Sequence, residues 1–417
     1  MKKIILISSG QPSTNPRLVK EADCLTEAGY DVKVIYQYWN DWASKADKKL
    51  LKLKNWRYTL VGGTPDSKTF YLLTRSFHKM AKSAINILGV NRGVAELALS
   101  RGTFFLKREA KKEKADLYIA HNLGALPAAV AAAARHNALC GFDAEDFHRY
   151  ESSNNDLDKD VILKKYIEDK YIPNTDYTTA ASPLIAKEYK KLYPEKPFVS
   201  ILNVFPKVNI NPSINTSSRK LKLFWFSQTI GRGRGIEEIL DAIALTDAQK
   251  LEFHLLGDCN SNNQDFFVDY ATKLGLDKSV LVFHPPVESE EIFQLAQTFD
   301  IGLATETGIP YNRDICLTNK IFTYIQSGLV VIASDTMAQE ELMSQYPGIG
   351  RIYSKGRSED LSKVLKEYLD NPELVAETKR NNITLATERL NWDIEKKLFL
   401  KTINGLFDKN KINQHSL

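Results

Sequence analysis

The stretch Phe226–Leu240, FSQTIGRGRGIEEIL, sets Arg232 and Arg234 between Gly231, Gly233 and Gly235, ahead of an acidic and then apolar helical pattern. Glycines let a backbone approach a ligand closely. A helix start offers free N–H groups and the positive end of a dipole. Arginine adds a fork that matches phosphate oxygens. The chemistry within reach of such a turn is phosphate binding. A glycine-rich turn with solvated arginines fits the same letters, and the spacing is neither that of a P-loop nor that of a dinucleotide GxGxxG. A second segment, RDICLTNKIFTYIQSG, places Arg313, Asn319 and Lys320 just before a helix that Gly328 ends. Two cation-bearing helix starts in one domain suit a diphosphate plus a sugar better than a single structural anion.

The first half of the chain carries a different set. SSGQPSTNPR offers Gly10, Gln11, Asn15 and Arg17; AHNLG offers His121 and Asn122; DAEDFHR offers Asp143, Glu145, Asp146 and His148. Carboxylates and a histidine at such places can contact sugar hydroxyls or act as a base. A helix N-cap cluster explains the acids equally well, and a buried, satisfied histidine explains His121.

These residues need elements to hold them. KIILISS is a continuous apolar run, as for a strand buried on both faces. Asn15-Pro16 starts a helix whose Leu18, Val19, Ala22, Leu25 and Ala28 share one face, and Gly29 ends it. Asp31–Tyr38 alternates as a second strand. Ala115–Asn122, LCGFDA, DYTTAAS and FVSILNVF read as further strands. After Pro206–Lys220, rich in Pro, Asn and Ser, the pattern restarts. Strands are expected over Leu221–Ser227, Leu251–Gly257, Ser279–His284, Asp300–Glu306 and Leu329–Asp335. Helices are expected from Gly235 and over Gln264–Leu274, Glu288–Phe299, Asn319–Ser327, Asp360–Leu369 and Pro372–Glu388. Alternating strands and helices imply parallel, doubly wound sheets, whose ligands bind beyond the carboxyl ends of the strands. The expected fold class is α/β, with two doubly wound Rossmann-like domains facing a cleft. Residues 1–205 are expected to form one such domain, 206–219 a linker, 220–388 the other, and 389–417 a helical segment packing back on the first domain.

A chain of 417 residues, 43% hydrophobic and 26% charged, has the composition of a globular protein large enough for two cores. Its net charge of +5 is far from a histone-like balance. Cys24, Cys140, Cys259 and Cys316 are scattered without a CxxC pair, which favours a reducing compartment over a disulfide framework. The N-terminal apolar run is too short for a signal peptide. The longest candidate span, Leu117–Ala134, is interrupted by His121, Asn122 and Pro127. The expected location is the cytoplasm, with the inner face of the membrane as a place of work.

With these motifs in view, nearly the whole chain resembles the GT-B glycosyltransferases, particularly glycosyltransferase family 4. ISSGQPSTNPRLVKEADCLTEAGYDVKVI is similar to the family's opening strand, loop and helix, although Gly10 stands where relatives have a glycine pair. SQTIGRGRGIEEIL puts Arg234-Gly235 at the family's Lys-Gly position and Gln228 at its upstream arginine, leaving Arg232 as the replacement. NKIFTYIQSGLVVIASD matches the family's NKxxEYxxxGxPVIAS element. The resemblance implies Arg234 and Lys320 as groups that neutralise a departing diphosphate. It implies Gly231, Gly233, Gly257 and Asn319 as donor contacts, with the base near HPPVES at Val287. Glu306 and Asp314 have the spacing of the family's two glutamates, but alignment through NKIFTY puts those positions at Ile315 and Thr323. Glu306 is then expected against the donor sugar. Glu145 stands at the family's acceptor-side histidine. The candidate catalytic set is Arg234, Lys320, Glu306, Glu145 and His121. Gly10, Gln11, Asn15, Arg17, Asn122 and Asp143 are expected at the acceptor. The family is retaining and works without a bound metal or cofactor, the nucleotide sugar being a co-substrate.

Between Lys68 and Lys114 eleven cations, Lys68, Arg75, Lys79, Lys82, Arg92, Arg101, Lys107, Arg108, Lys111, Lys112 and Lys114, meet only Glu96, Glu109 and Glu113, with apolar residues interleaved. Such a face can lie on an anionic bilayer, or be a solvated helix face over ordinary core; no nucleic-acid motif accompanies it. The expected function is transfer of a sugar from a nucleoside-diphosphate sugar to a glycan or lipid-linked glycan in surface glycan synthesis. A GT-B nucleotide-sugar epimerase, a sugar phosphorylase, a non-catalytic sugar-binding protein and an inactive transferase partner are the rival readings.

Overall fold

The strand Lys3–Ser8 (β1) is the axis of the first sheet, and Ile4, Ile5, Leu6 and Ile7 have no exposed surface. Asp31–Gln37 (β2), Arg57–Val61 (β3), Leu117–His121 (β4), Leu139–Ala144 (β5), Tyr177–Ala180 (β6) and Phe198–Ser200 (β7) complete it. All pairs are parallel, in the order β3-β2-β1-β4-β5-β6-β7. The order reverses between β1 and β4, the switch point where open α/β sheets bind ligands. Ser8 stands opposite His121, His121 opposite Asp143, and Asp143 opposite Thr179. The register alone therefore lines up one row of polar residues near the carboxyl end.

The second sheet is built from Leu221–Thr229 (β8), Leu251–Asp258 (β9), Leu281–His284 (β10), Ile301–Ala304 (β11), Val330–Ser334 (β12) and Gly350–Tyr353 (β13). Its order is β10-β9-β8-β11-β12-β13, again parallel, with the reversal between β8 and β11. Leu223, Trp225, Leu255, Leu303 and Ile332 pack with Ile236, Ile239 and Leu240 of the helix Ile236–Ala244 in its core. Two Rossmann-like units of the same winding are thus present.

This computed structural model describes residues 1–91, 93–208 and 220–415. Packing divides it into Met1–Leu202 with Pro310–Asn312 and the chain from Lys396, and Asn203–Ile309 with Arg313–Glu395. Most of the expected linker, 209–219, and Arg92 of the basic region lie outside the described residues. Strand β7 stops at Ser200 rather than running to Phe205. Phe205 instead packs its ring edge-on to Phe293, 5.0 Å away, and its N–H donates to Gln326 Oε1 at 3.1 Å within the second unit. The helix Trp392–His415 buries Phe399, Ile403 and Phe407. Tyr30 donates to Asn404 Oδ1 at 2.6 Å, which ties that helix to the first unit. Among the described residues no helix is long and apolar enough to cross a membrane.

Candidate functional site

At the switch point of the first sheet the helix Pro16–Glu27 supplies two charges to the buried interior. Its start is set by Asn15, whose side chain accepts from the Leu18 N–H at 2.9 Å, and by Pro16 in the first turn. Arg17 is 1% exposed; its Nε donates to Asp143 Oδ2 at 2.7 Å and its Nη1 to the Ile201 carbonyl at 2.5 Å. Thr179 donates to the other Asp143 oxygen at 2.6 Å. His121 lies 3.3 Å from both Glu21 and Asp143 and 3.8 Å from Glu145, with no exposed surface. Burial alone would push the imidazole pKa down, but the neighbouring carboxylates of Glu21, Asp143 and Glu145 raise it well above its usual value. Arg17 and His121 hold Asp143 below the usual carboxylate range, against its burial. Burial and the charge of Asp143 push Glu21 up. Glu21, His121 and Asp143 could supply three metal ligands, yet Arg17 already hydrogen-bonds the Asp143 oxygen that faces the ring. The donor set is therefore compensated from within.

Around this buried core the more accessible residues gather. Glu145, 26% exposed at its side chain, accepts a short hydrogen bond from Asn15 Nδ2. Asn122 follows β4 at φ 61°, ψ 158°, a conformation that costs a non-glycine residue of the order of 1–3 kcal/mol. Its Oδ1 is held by Ser9, which donates from both its N–H and its hydroxyl. Gly10 lies beside it: its N–H donates to Ser8 Oγ at 3.0 Å. Gln11 is buried and acts as a clasp. Its Nε2 donates to Asp47 at 2.9 Å and Ser44 at 3.1 Å, and its Oε1 accepts from the Trp39 and Asn40 N–H groups. The remaining charges of DAEDFHR are engaged internally: His148 with Glu151 at 3.1 Å, and Arg149 with Glu168 at 2.6 Å. Asp146 accepts from Asn312 Nδ2 at 2.8 Å, and the Phe147 N–H donates to Asn312 Oδ1 at 2.7 Å.

The second switch point is more open. Glu306, directly beyond β11, is 6% exposed, and its backbone is pinned on both sides by the Ser334 hydroxyl at 2.8 Å. Lys320, from the first turn of the helix Asn319–Gln326, donates to Glu306 Oε1 at 2.5 Å. Thr318 donates to the same oxygen at 3.2 Å, and Arg313 lies 3.6 Å from the other. The loop after β8 meets this group through Gly235. That residue has φ +84°, and a Cβ there would fall 2.7 Å from Thr305 Oγ1, so only glycine fits. Gly257 is likewise excluded from carrying a side chain: a Cβ would sit 2.3 Å from the Ser227 carbonyl. Arg234 is exposed and donates to Ser227 Oγ at 2.7 Å. The Gly233 N–H donates to Glu237 Oε1 at 3.0 Å. The cations Arg234, Lys320 and Arg313 and the start of the helix Ile236–Ala244 form the kind of field that stabilises a leaving diphosphate.

Other expected donor residues are placed differently. Arg232 stacks on Phe266, with its guanidinium carbon 3.8 Å from the ring centroid, on a surface that also includes Asp265 and Asp269. Gln228 and Gly231 lie in the β8 end and its turn, Gln228 exposed. Asn319 accepts from Asn203 Nδ2 at 3.0 Å. Thr323 is buried one turn beyond Lys320, and Ile315 is buried too. Val287 is half-buried in the loop after β10, just before the Glu288–Glu291 capping box. Sequence reasoning missed Glu21 and Thr179. The signal for Glu21 was there: Arg17 and Glu21 are a charged i,i+4 pair on the apolar stripe of their helix, so both had to meet buried partners.

No family model matches the sequence, and no curated protein matches it. Solved structures do match. HepE of Anabaena in complex with UDP superposes with a TM-score of 0.70 at 16% identity, covering 97% of this chain and 100% of that one. A glycosyltransferase of Rickettsia africae gives 0.70 at 12% identity, over 97% and 99%. TarM of S. aureus, solved as a mutant with Fondaparinux, alpha-GlcNAc-glycerol and UDP, gives 0.66 at 12% identity, over 98% and 100%. At such identities the likeness establishes the fold: this chain has the GT-B fold of these glycosyltransferases.

Proposed function

We propose that the protein is a retaining glycosyltransferase of the family 4 type, which moves a sugar from a nucleoside-diphosphate sugar to a hydroxyl of a glycan or lipid-linked glycan in surface glycan synthesis. The observation that carries this reading is the second switch point. There a single buried carboxylate, Glu306, is bracketed by Lys320 at 2.5 Å and Arg313 at 3.6 Å, and Gly235 packs the Arg234 loop against Thr305. In this reading Arg234, Arg313 and Lys320 neutralise the diphosphate as the bond between the anomeric carbon and the phosphate oxygen breaks. Glu306 accepts hydrogen bonds from the sugar hydroxyls. The loops with Gly10, Asn122 and Glu145 receive the acceptor, while Arg17, His121 and Asp143 hold them in place. Membrane contact through residues 68–114 fits the cationic composition of that region.

The test is incubation with a panel of nucleotide sugars, UDP-sugars first because HepE and TarM were solved with UDP. Thermal shift reads binding, release of the nucleoside diphosphate reads transfer, and the anomeric configuration of the product reads retention. No shift with any nucleotide removes the donor site. A shift without turnover in the presence of acceptors favours an inactive transferase partner, as Thr323 and Ile315 at the family's glutamate positions would permit.

A further inference from the structure

The helix Lys68–Leu88 is an unusual part of the first unit. Of its side chains described, only Thr74 and Ala81 are buried. Leu73 is 53% and Phe77 54% exposed, and Phe70, Met80 and Ile87 continue the same apolar stripe. The helix contains Lys68, Arg75, Lys79 and Lys82 and no acidic residue. Beside it, Leu73, Phe77, Leu97, Phe104, Phe105 and Arg101 line a groove of about 280 Å³, near the lower limit of small-molecule sites, roughly 300–1,000 Å³.

Arg101 gives the groove its chemistry. Its Nη1 donates to Thr74 Oγ1 at 2.7 Å and to the Gly62 carbonyl, and its Nη2 to the Tyr38 and Gly63 carbonyls at 3.2 and 3.3 Å. Among the described residues no carboxylate lies within ion-pair distance of it, so a half-buried positive charge is left without a formal counterion. Burial and the nearby Arg75 both lower its pKa. Tyr38 follows β2, and Gly62 and Gly63 follow β3, so the groove lies at the carboxyl end of the sheet. Gln37 links it to the first loop, donating to Ser100 Oγ at 2.9 Å and to the Ser9 carbonyl. These hydrogen bonds tie the backbone beside Arg101 to the loop that carries Gly10 and Gln11.

We propose that this groove holds the hydrocarbon chain of a lipid phosphate, the anchor of the acceptor, with the phosphate in the field of Arg101 and Arg75. The proposal rests on the transferase reading and specifies its acceptor. Apolar walls remove the chain from water, and the net positive charge of a guanidinium whose terminal N–H groups meet only neutral acceptors favours an anionic head over a neutral one. A second copy of this chain is a poor occupant, because it would set one acid-free cationic helix against another.

The test uses farnesyl monophosphate below its micelle concentration, titrated calorimetrically into the full chain, with farnesol as the neutral arm. Leu73→Glu/Phe77→Glu and, separately, Phe104→Glu alter positions already more than half exposed, and UDP thermal shift in each variant reports on the second unit independently. The expected result is saturable binding to the wild type, roughly tenfold weaker in either variant, weaker still for farnesol, with the UDP shift unchanged. Equal affinity in wild type and variants, equal affinity for farnesol, or no binding overturns the proposal. Farnesyl phosphate binding without any nucleotide shift would instead remove the transferase reading and leave the groove standing.

Discussion

The two sheets reverse their strand order at equivalent places, yet the residues they gather there are of opposite kinds. In the first unit the switch point is filled: Arg17, Glu21, His121 and Asp143 are all at most 1% exposed and neutralise one another. In the second it is open: Glu306 is buried, but Arg313 is 50% exposed at its side chain and Arg234 lies in solvent. One topology thus carries two charge patterns: a buried cluster whose charges offset one another, and a rim where Arg234 is exposed and Arg313 and Lys320 share one carboxylate.

The contrast can be broken by exchange of effects. Arg17→Met should cost about 3–5 kcal/mol of stability, because it takes from the buried Asp143 and Glu21 a cation that pairs with both; denaturant unfolding measures it, and a loss under ~1 kcal/mol would mean that the cluster is not what holds the loops. Arg234→Ala should lower turnover about 10²–10³-fold while leaving the unfolding midpoint nearly unchanged, since the side chain is exposed. If stability falls and turnover does not, the second site is structural as well. Gly235→Ala should destabilise the second unit by roughly 1–3 kcal/mol through its positive φ and the clash with Thr305, with weakened nucleotide binding, readable by thermal shift with and without UDP.

The smallest effect is a pH dependence. The pKa of His121 is raised above its usual 6.5. Its contribution is therefore fully present below that value and is lost as the pH rises through the raised one. Asp143, held low, contributes above its usual 3.8 and loses that contribution only as acid protonates it. The melting temperature of the wild type should fall on the alkaline side, and His121→Gln should flatten that limb while leaving the pH dependence of UDP binding unaltered. A limb of equal slope in both proteins would assign it to other groups.

Central strands were legible because a strand buried on both faces must read as a continuous apolar run, as in Ile4–Ile7 or Val330–Ala333. The edge strand β3 was missed for the converse reason. Its residues are mostly exposed, so RYTLV shows no such run. The helix Asp41–Leu50, which buries only Ala43 and Asp47, escaped notice in the same way, and the edge strand β13 did so because its four residues, GRIY, hold no apolar run. At the site, turns that carry Gly235, Asn319 and Lys320 announced themselves through local spacing. Arg232 did not behave as its neighbours in sequence suggested, because Phe266, thirty-four residues on, offers its ring as a partner.

Local letters determined where strands end and helices begin, since caps, glycines and apolar periods act over a few residues. They therefore determined two parallel α/β units and the loops on which chemistry could sit. Which of those residues are buried together was decided by tertiary structure alone. His121 meets Asp143 only because parallel pairing sets two strands side by side in register, and it meets Glu21 only because the helix Pro16–Glu27 turns that side chain into the same buried cluster.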